Sequence, residues 1–385
     1  MRKESLDFFR KIVSFDTNSL DKTHYEGCVR EICKELKARG IRHGVIDGRD
    51  ERGRIVPNIV AHAGKGKKKL VLAVHYDVVP AEEGWKRDPF KLVVKNGKAY
   101  GRGANDDKGS IVACIDALEE LGRNTTWEII LLITGDEEIG GESGLGRVVK
   151  KIKKAELALI VDAAPEGQIG ASGIIHARIK VFGKQCHAAT EYGGENAIEK
   201  VLVLIGELKK FRKKKEKRTS FLFANSDAPK KKVWRRLNIT MFNGGTKENI
   251  IPGEAEIGID MRMLPEDDLE KERGEFIDFV KRASKKKKIK LKIEIKHAQA
   301  GYYSDPRNAH VKRMLSIISR HTKDNKIRAA LGGNDGPYFM KRNMPVVCFG
   351  AIRTEGNPHG KDEFVYLKDL ELVRKVIVDF VNEGK

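Results

Sequence analysis

Three runs of nearly unbroken apolar sequence constrain this chain more than any other feature: KLVLAVHYDVV at residues 69–79, WEIILLITGDEE at 127–138 and LALIVDAAP at 157–165. A strand that alternates polar and apolar residues needs one covered face. A strand that is apolar at every position needs both faces covered, as in the middle of a parallel or mixed sheet between helices. GSIVACIDALEELG at 109–122 reads as a helix ending at Gly122. Helical spacing also marks residues 4–13 (Leu6, Phe9, Ile12, Val13) and 25–39 (Val29, Ile32, Cys33, Leu36), and IVPNIVAHA at 55–63 adds a strand. The alternation predicts an α/β sheet, whose sites lie beyond the carboxyl ends of its strands. Each apolar run ends there on titratable residues: His75 and Asp77; Asp136, Glu137 and Glu138; Asp162.

The texture changes near residue 172. IIHARIKVFG, RRLNITMFNGG, GEAEIGIDMRML and KIKLKIEIKHA alternate, and two helical segments, ENAIEKVLVLIGELKKF and DLEKERGEFIDFVKRASK, separate them. Four half-buried strands with two helices make a small α+β domain with one polar sheet face. After Ala300 helix and strand return, closing with a helix at 367–382. The expected architecture is an α/β domain of residues 1–171 and 299–385, with a mixed central sheet flanked by helices, interrupted by a smaller α+β domain of 172–298.

To the strand-end residues the chain adds Asp106 and Asp107 in GRGANDDKG and His359 in GNPHGKDEF. Carboxylates crowded at one sheet edge repel unless protonated or bound to metal. Each piece has a plainer reading by itself. His-x-Asp occurs at ordinary strand ends, and acids before GG favour a helix N-terminus. The glycine loop lacks the spacing of a phosphate cradle, and its aspartates would repel phosphate. Together they suit a divalent-metal centre: imidazole and carboxylate ligands too numerous for one tetrahedral ion and sufficient for two sharing a bridging carboxylate.

The formal net charge of +20 comes largely from lysine clusters at 65–69, 150–154, 209–218, 230–232 and 285–288. The clusters are scattered and carry few interleaved aromatics, so solvated faces are expected rather than a nucleic-acid surface. Five cysteines with no Cys-x-x-Cys pair argue against a disulfide framework and for a reducing, cytoplasmic setting. No signal peptide and no membrane span are expected, because no apolar run reaches ~18 residues.

HYDVVP, GRGANDDKG, TGDEEIGG, GKQCHAA, GGTKENIIP, DMRMLP and HGKDEFV together resemble the co-catalytic metallopeptidase and deacylase family. That family includes acetylornithine deacetylase, succinyl-diaminopimelate desuccinylase, aminoacylase, carboxypeptidase G and several dipeptidases. The resemblance covers nearly the whole chain. It implies a zinc-peptidase-like catalytic domain and an inserted domain that forms a homodimer. It also implies two divalent ions, zinc or else cobalt or manganese; that no membrane and no nucleic acid is a partner is expected from the apolar run lengths and the scattered lysines. His75 and Asp162 would bind one ion, Glu138 and His359 the other, and Asp106 both. Glu137 would be the general base, Asp77 would orient His75, and the Asp106–Asp107 peptide would be cis. His187 would stabilise the oxyanion in the neighbouring subunit's site. Arg262 and Asn249 would hold the substrate carboxylate beside a loop containing Gly332, Gly333, Asn334 and Asp335. An ion pair of Arg262 with Asp260 or Glu266 is the alternative for that arginine. The bacterial desuccinylases carry an arginine pair before the inserted domain, where this chain has Ala171 and Ser172. The implied activity is hydrolysis of N-acyl amino acids. Dipeptidase or carboxypeptidase action is the alternative, and a non-catalytic basic binding protein the remote one.

Overall fold

The computed structural model describes residues 1–123 and 125–383, which divide into two compact units. The first comprises Met1–Gly170, Ser304–Arg328 and Asn334–Lys385; the second comprises Ala171–Tyr303 and Ala329–Gly333. The chain thus re-enters the first unit at Ser304, five residues later than the sequence suggests, and lends the second unit a short segment at 329–333.

In the first unit the sheet runs Arg42–Arg49, Ile55–Ala63, Trp127–Thr134, Lys68–His75, Leu157–Ile160, Val346–Cys348. The first two pairings in that order are antiparallel, and Val346–Cys348 pairs in parallel with Leu157–Ile160. Lys68–His75 pairs in parallel with Trp127–Thr134 on one side and Leu157–Ile160 on the other. That central placement explains the absence of alternation: residues 70–75 are all buried. The helix Lys108–Leu121 is apolar around most of its circumference because it packs against both this sheet and the closing helix Leu367–Asn382. The carboxyl ends of the two paired parallel strands fall together, with His75 opposite Thr134.

In the second unit, Arg236–Gly244, Glu254–Arg262, Ile174–Phe182 and Lys290–Gln299 form an antiparallel sheet in that order. One face supplies Ile175, Ala177, Ile179, Leu237, Ile257, Ile259 and Met261 to a core shared with the helices Ala197–Lys215 and Leu269–Lys287. The other face carries the alternate, polar residues of the same strands.

Candidate metal centre

His75 is the last residue of its strand, and its side chain is buried. Nδ1 lies 3.0 Å from the main-chain carbonyl of Asp77 and 3.5 Å from its carboxylate. The Asp77 carboxylate accepts the backbone N–H groups of Glu137 and Glu138, both at 3.2 Å. Asp77 therefore steadies the imidazole mainly through its backbone and fixes the acidic turn with its side chain. The Trp127–Thr134 strand stops because Asp136 has a left-handed backbone, φ 68°, and Glu137–Ile139 form a short 3-10 turn. Gly135 allows the close approach there: a Cβ would sit 2.7 Å from the Tyr76 hydroxyl. Asp136 itself faces the buried Lys22 ammonium, an ion pair that anchors the turn from behind.

His75 Nε2 is 3.0 Å from Asp106 Oδ1 and 3.9 Å from Asp162 Oδ2. His359 Nε2 is 3.1 Å from Asp106 Oδ2 and 3.1 Å from Glu138 Oε2. Two three-residue donor groups result, His75–Asp106–Asp162 and Asp106–Glu138–His359, each with its ligand atoms within 4.8 Å of one another. Asp106 belongs to both and turns one oxygen to each imidazole. The Asp106–Asp107 peptide is cis.

The charges are strongly perturbed. Burial opposes a cation at His75, but Asp106 and Asp77 hold its pKa well above the imidazole range. Hydrogen bonds to Asp106 and Glu138 raise His359 to about 10. Burial pushes Asp106 up, yet the imidazoles of His359 and His75 pull it below the carboxylate range. Burial and Asp106 raise Glu138, and the same two causes bring Asp162 to about 7. Burial, Asp162 and Asp335 drive Glu137 well upward. Glu138 Oε1 is buried with no hydrogen-bond partner. Oxygen and nitrogen donors in two groups, a shared carboxylate and an orphaned buried oxygen all fit hard or borderline divalent cations.

Three further residues complete the first unit's site, of which the sequence singles out only Asp335, as part of its glycine loop. Asp335 is buried, with a pKa of about 7 set by its burial. Gly141, φ +71°, leaves room for it, since a Cβ there would lie 2.6 Å from Asp335 Oδ1. Arg102 and Glu363 form a buried ion pair at 2.7 Å. Glu363 also accepts the backbone N–H groups of Gly103, Asn105 and Asp106 at 3.0, 2.8 and 3.1 Å. Arg102 Nη2 donates to the carbonyl of His359 at 3.2 Å. All four contacts to the Glu363 oxygens come from donors and favour the carboxylate, against the burial that raises its pKa to about 7. The pair binds the loops of Asp106 and His359 together. Its members lie in the GRGANDDKG and HGKDEFV motifs, but no local spacing reveals their pairing, because they stand 261 residues apart.

Four of the remaining expected residues lie in the second unit. His187 is exposed at the end of the short strand Cys186–His187, opposite Ile250, and its Nδ1 accepts the N–H of Ala189 at 3.0 Å. Asn249 adjoins it through Ala188 N–H to Asn249 C=O, 2.9 Å. Arg262 is ion-paired with Asp260 at 2.9 Å, while Glu266 accepts from Ser220 instead. A Cβ at Gly333 would sit 2.5 Å from Ile174 Cδ1, so a side chain there would displace the end of that isoleucine. Asn334, in the first unit, donates to Cys348 Sγ at 3.4 Å and accepts from Gly336 N at 3.0 Å, a turn-forming role.

The family model described as peptidase family M20/M25/M40 matches residues 71–383. A succinyl-diaminopimelate desuccinylase of Pelagibacter ubique is 26% identical over 91% of each chain. Two solved structures share the fold at low identity. An M20 family metallo-carboxypeptidase from Sulfolobus solfataricus has a TM-score of 0.77 at 18% identity, covering 99% of both chains. A dipeptidase from Saccharomyces cerevisiae has a TM-score of 0.74 at 19% identity, covering 98% of this chain and 95% of its own.

Proposed function

The chain belongs to peptidase family M20/M25/M40, a family of metal-dependent hydrolases of amide bonds, and from that premise we propose that it removes the acyl group of N-acyl amino acids. The observation that carries the reading is Asp106, shared between the His75–Asp162 and Glu138–His359 donor groups with the Glu137 carboxyl alongside. In this reading His75 and Asp162 hold one divalent ion, Glu138 and His359 a second, and Asp106 both; zinc is the ion the donor set suits best. When bound, the ions would supply Lewis acidity and lower the pKa of a water molecule.

The chain's own residues do the rest. Glu137 takes the proton of the attacking water and returns it to the leaving nitrogen. A raised carboxyl pKa serves both halves of that task. Asp77 keeps Glu137 in place through its backbone N–H. His187 donates to the developing oxyanion of a partner subunit's site, and Arg262 and Asn249 bind the substrate's carboxylate. The dimer is supported by exposed apolar side chains in the second unit. Leu202 and Val203 lie on its first helix, and Met241 and Phe242 on the edge strand of its sheet. Dipeptidase action is kept as a second reading because Ala171 and Ser172 stand before the second unit's first long strand, where neither offers a charge to an acidic acyl group. A cytoplasmic location is proposed because none of the five cysteines forms a disulfide.

Metal-loaded protein should be offered N-acetyl and N-succinyl amino acids beside free dipeptides. Release from the acylated substrates identifies a deacylase and its acyl group. Release from dipeptides alone replaces this reading with the second.

A further inference from the structure

The segment between the first two helices, residues 14–24, makes two attachments within the first unit to the sheet edge where the donor groups stand. One is to the strand exit that carries Asp77. Thr17 Oγ1 donates to the Tyr76 carbonyl at 2.6 Å, Val78 N–H to the Thr17 carbonyl at 2.9 Å and Ser19 N–H to the Val78 carbonyl at 3.0 Å. The other is to the turn that carries Glu137 and Glu138. Lys22 has a left-handed backbone, φ 56°, and its N–H donates to the Asn18 carbonyl at 2.7 Å. Its side chain, 3% exposed, runs inward to that of Asp136, 4% exposed. The ammonium meets Asp136 Oδ1 and sits 5.6 Å from the centre of the Tyr25 ring, whose hydroxyl donates to the same oxygen at 3.4 Å. A second carboxylate, Asp50, is farther off at 3.9 Å and is gripped by Arg54 at 2.7 Å. The Asp136 carbonyl accepts Ile139 and Gly141 N–H at 3.2 and 2.7 Å, which closes the acidic turn. An aspartate keeps a left-handed backbone where its surroundings hold it. Among the described residues, Lys22 is the one cation paired with Asp136. Both side chains are out of water, so removing either strands a buried charge. One segment therefore fixes both supports of Glu137: the Asp77 carboxylate in front and Asp136 behind.

We propose that Lys22 is a positioning residue for the hydrolysis: by clamping Asp136 to the 14–24 segment it sets the place of the Glu137 carboxyl and of the Glu138 carboxylate. The inference rests on the deacylase reading and adds to it a residue outside every motif of the site. Lysine is rarely buried without a partner, and here the partner is the residue that opens the acidic turn.

The test compares K22M, K22R and K22M/D136N with the wild type, on the acylated amino acid that the wild type hydrolyses. A displacement of about 1 Å costs on the order of 100-fold in rate, and lost support behind a metal ligand about 10- to 100-fold in affinity. With saturating zinc, K22M should lower kcat by roughly 100-fold and leave KM little changed. In competition with a chromophoric chelator it should bind zinc about 10- to 100-fold more weakly. K22R keeps the charge and should recover part of both losses. K22M also strands the Asp136 carboxylate. K22M/D136N removes that charge and keeps a residue that tolerates the left-handed backbone, so its melting temperature should return toward the wild-type value while kcat and zinc affinity stay low. If K22M loses only melting temperature, with kcat and zinc affinity at wild-type values, Lys22 is a brace of the fold and the proposal is overturned. Recovery of kcat and affinity in K22M/D136N overturns it as well, by tracing the loss to the stranded charge. If K22M does not fold, the double variant carries the decision. The zinc measurement needs no substrate. A wild type that binds zinc but hydrolyses no acylated amino acid would end the deacylase reading, and weakened binding in K22M/D136N would still support the clamp. A wild type that binds no zinc would end both.

Discussion

Replacing Glu363 with glutamine should uncouple the two halves of the metal centre. Each Glu363 oxygen accepts two donors: Asn105 and Asp106 N–H on Oε1, Gly103 N–H and Arg102 Nη1 on Oε2. An amide in that position must turn its NH2 toward one of these pairs, so two acceptor contacts are lost whichever way it sits. The Arg102 guanidinium, 2% exposed, would then be buried without a counter-charge. Removing one member of such a pair costs about 3–5 kcal/mol, a large part of the ~5–15 kcal/mol that holds a domain folded. Metal affinity should fall as well, because the loop carrying Asp106 and the loop carrying His359 are tied through this pair. Outer contacts of that kind are worth about 10- to 100-fold in metal affinity. The assay is competition against a chromophoric chelator, beside thermal melting of the metal-free protein. R102M/E363Q supplies the internal control. It removes the stranded charge and should regain part of the melting temperature without regaining metal affinity. If E363Q melts lower yet binds both ions as tightly as the wild type, the pair braces the fold only and the positioning argument fails.

Glu137→Gln should leave both ions bound and lower kcat by about 10²–10⁴-fold; lost metal instead would show that Glu137 is a ligand. Thermal stability of the metal-free protein should fall as pH rises from 5 to 9. His359, raised to about 10, contributes stability that is complete below its ordinary 6.5 and disappears as pH climbs through the folded value. Asp162 and Asp335, raised to about 7, bind more protons folded than unfolded above 3.8, so their ionisation acts in the same direction. The lowered Asp106 acts oppositely, but only below 3.8. Metal should reverse the trend, its stabilisation growing with pH as the ligands shed protons; a flat melting curve without metal would contradict this. Leu202→Glu combined with Phe242→Glu should convert a dimer to a monomer in sedimentation, and an unchanged dimer would move the interface elsewhere.

Much of the candidate metal site was legible because several of its residues sit where a strand must end. Residues 70–75 could only be a doubly covered strand, and His75 closes it. Long, buried, strongly patterned elements such as Lys108–Leu121 read true to within a residue or so. The strand Arg42–Arg49 did not, since it lies at the sheet margin with most side chains exposed and two glycines weakening any strand signal. The run through Glu138 read as continuous strand, whereas the left-handed Asp136 ends it four residues earlier at Thr134, a backbone choice fixed by Lys22 and Tyr76 from distant segments. Arg102 with Glu363, and Lys22 with Asp136, were invisible for the same reason: their meaning lies in pairings that folding creates and no local spacing encodes.

Whether Asp106 serves two ions at once is decided by anomalous diffraction from zinc-loaded crystals. Two peaks ~3.5–4 Å apart are expected, one against His75 and Asp162, the other against Glu138 and His359, with Asp106 between them. A single peak, or two peaks that do not share Asp106, would contradict that bridging role.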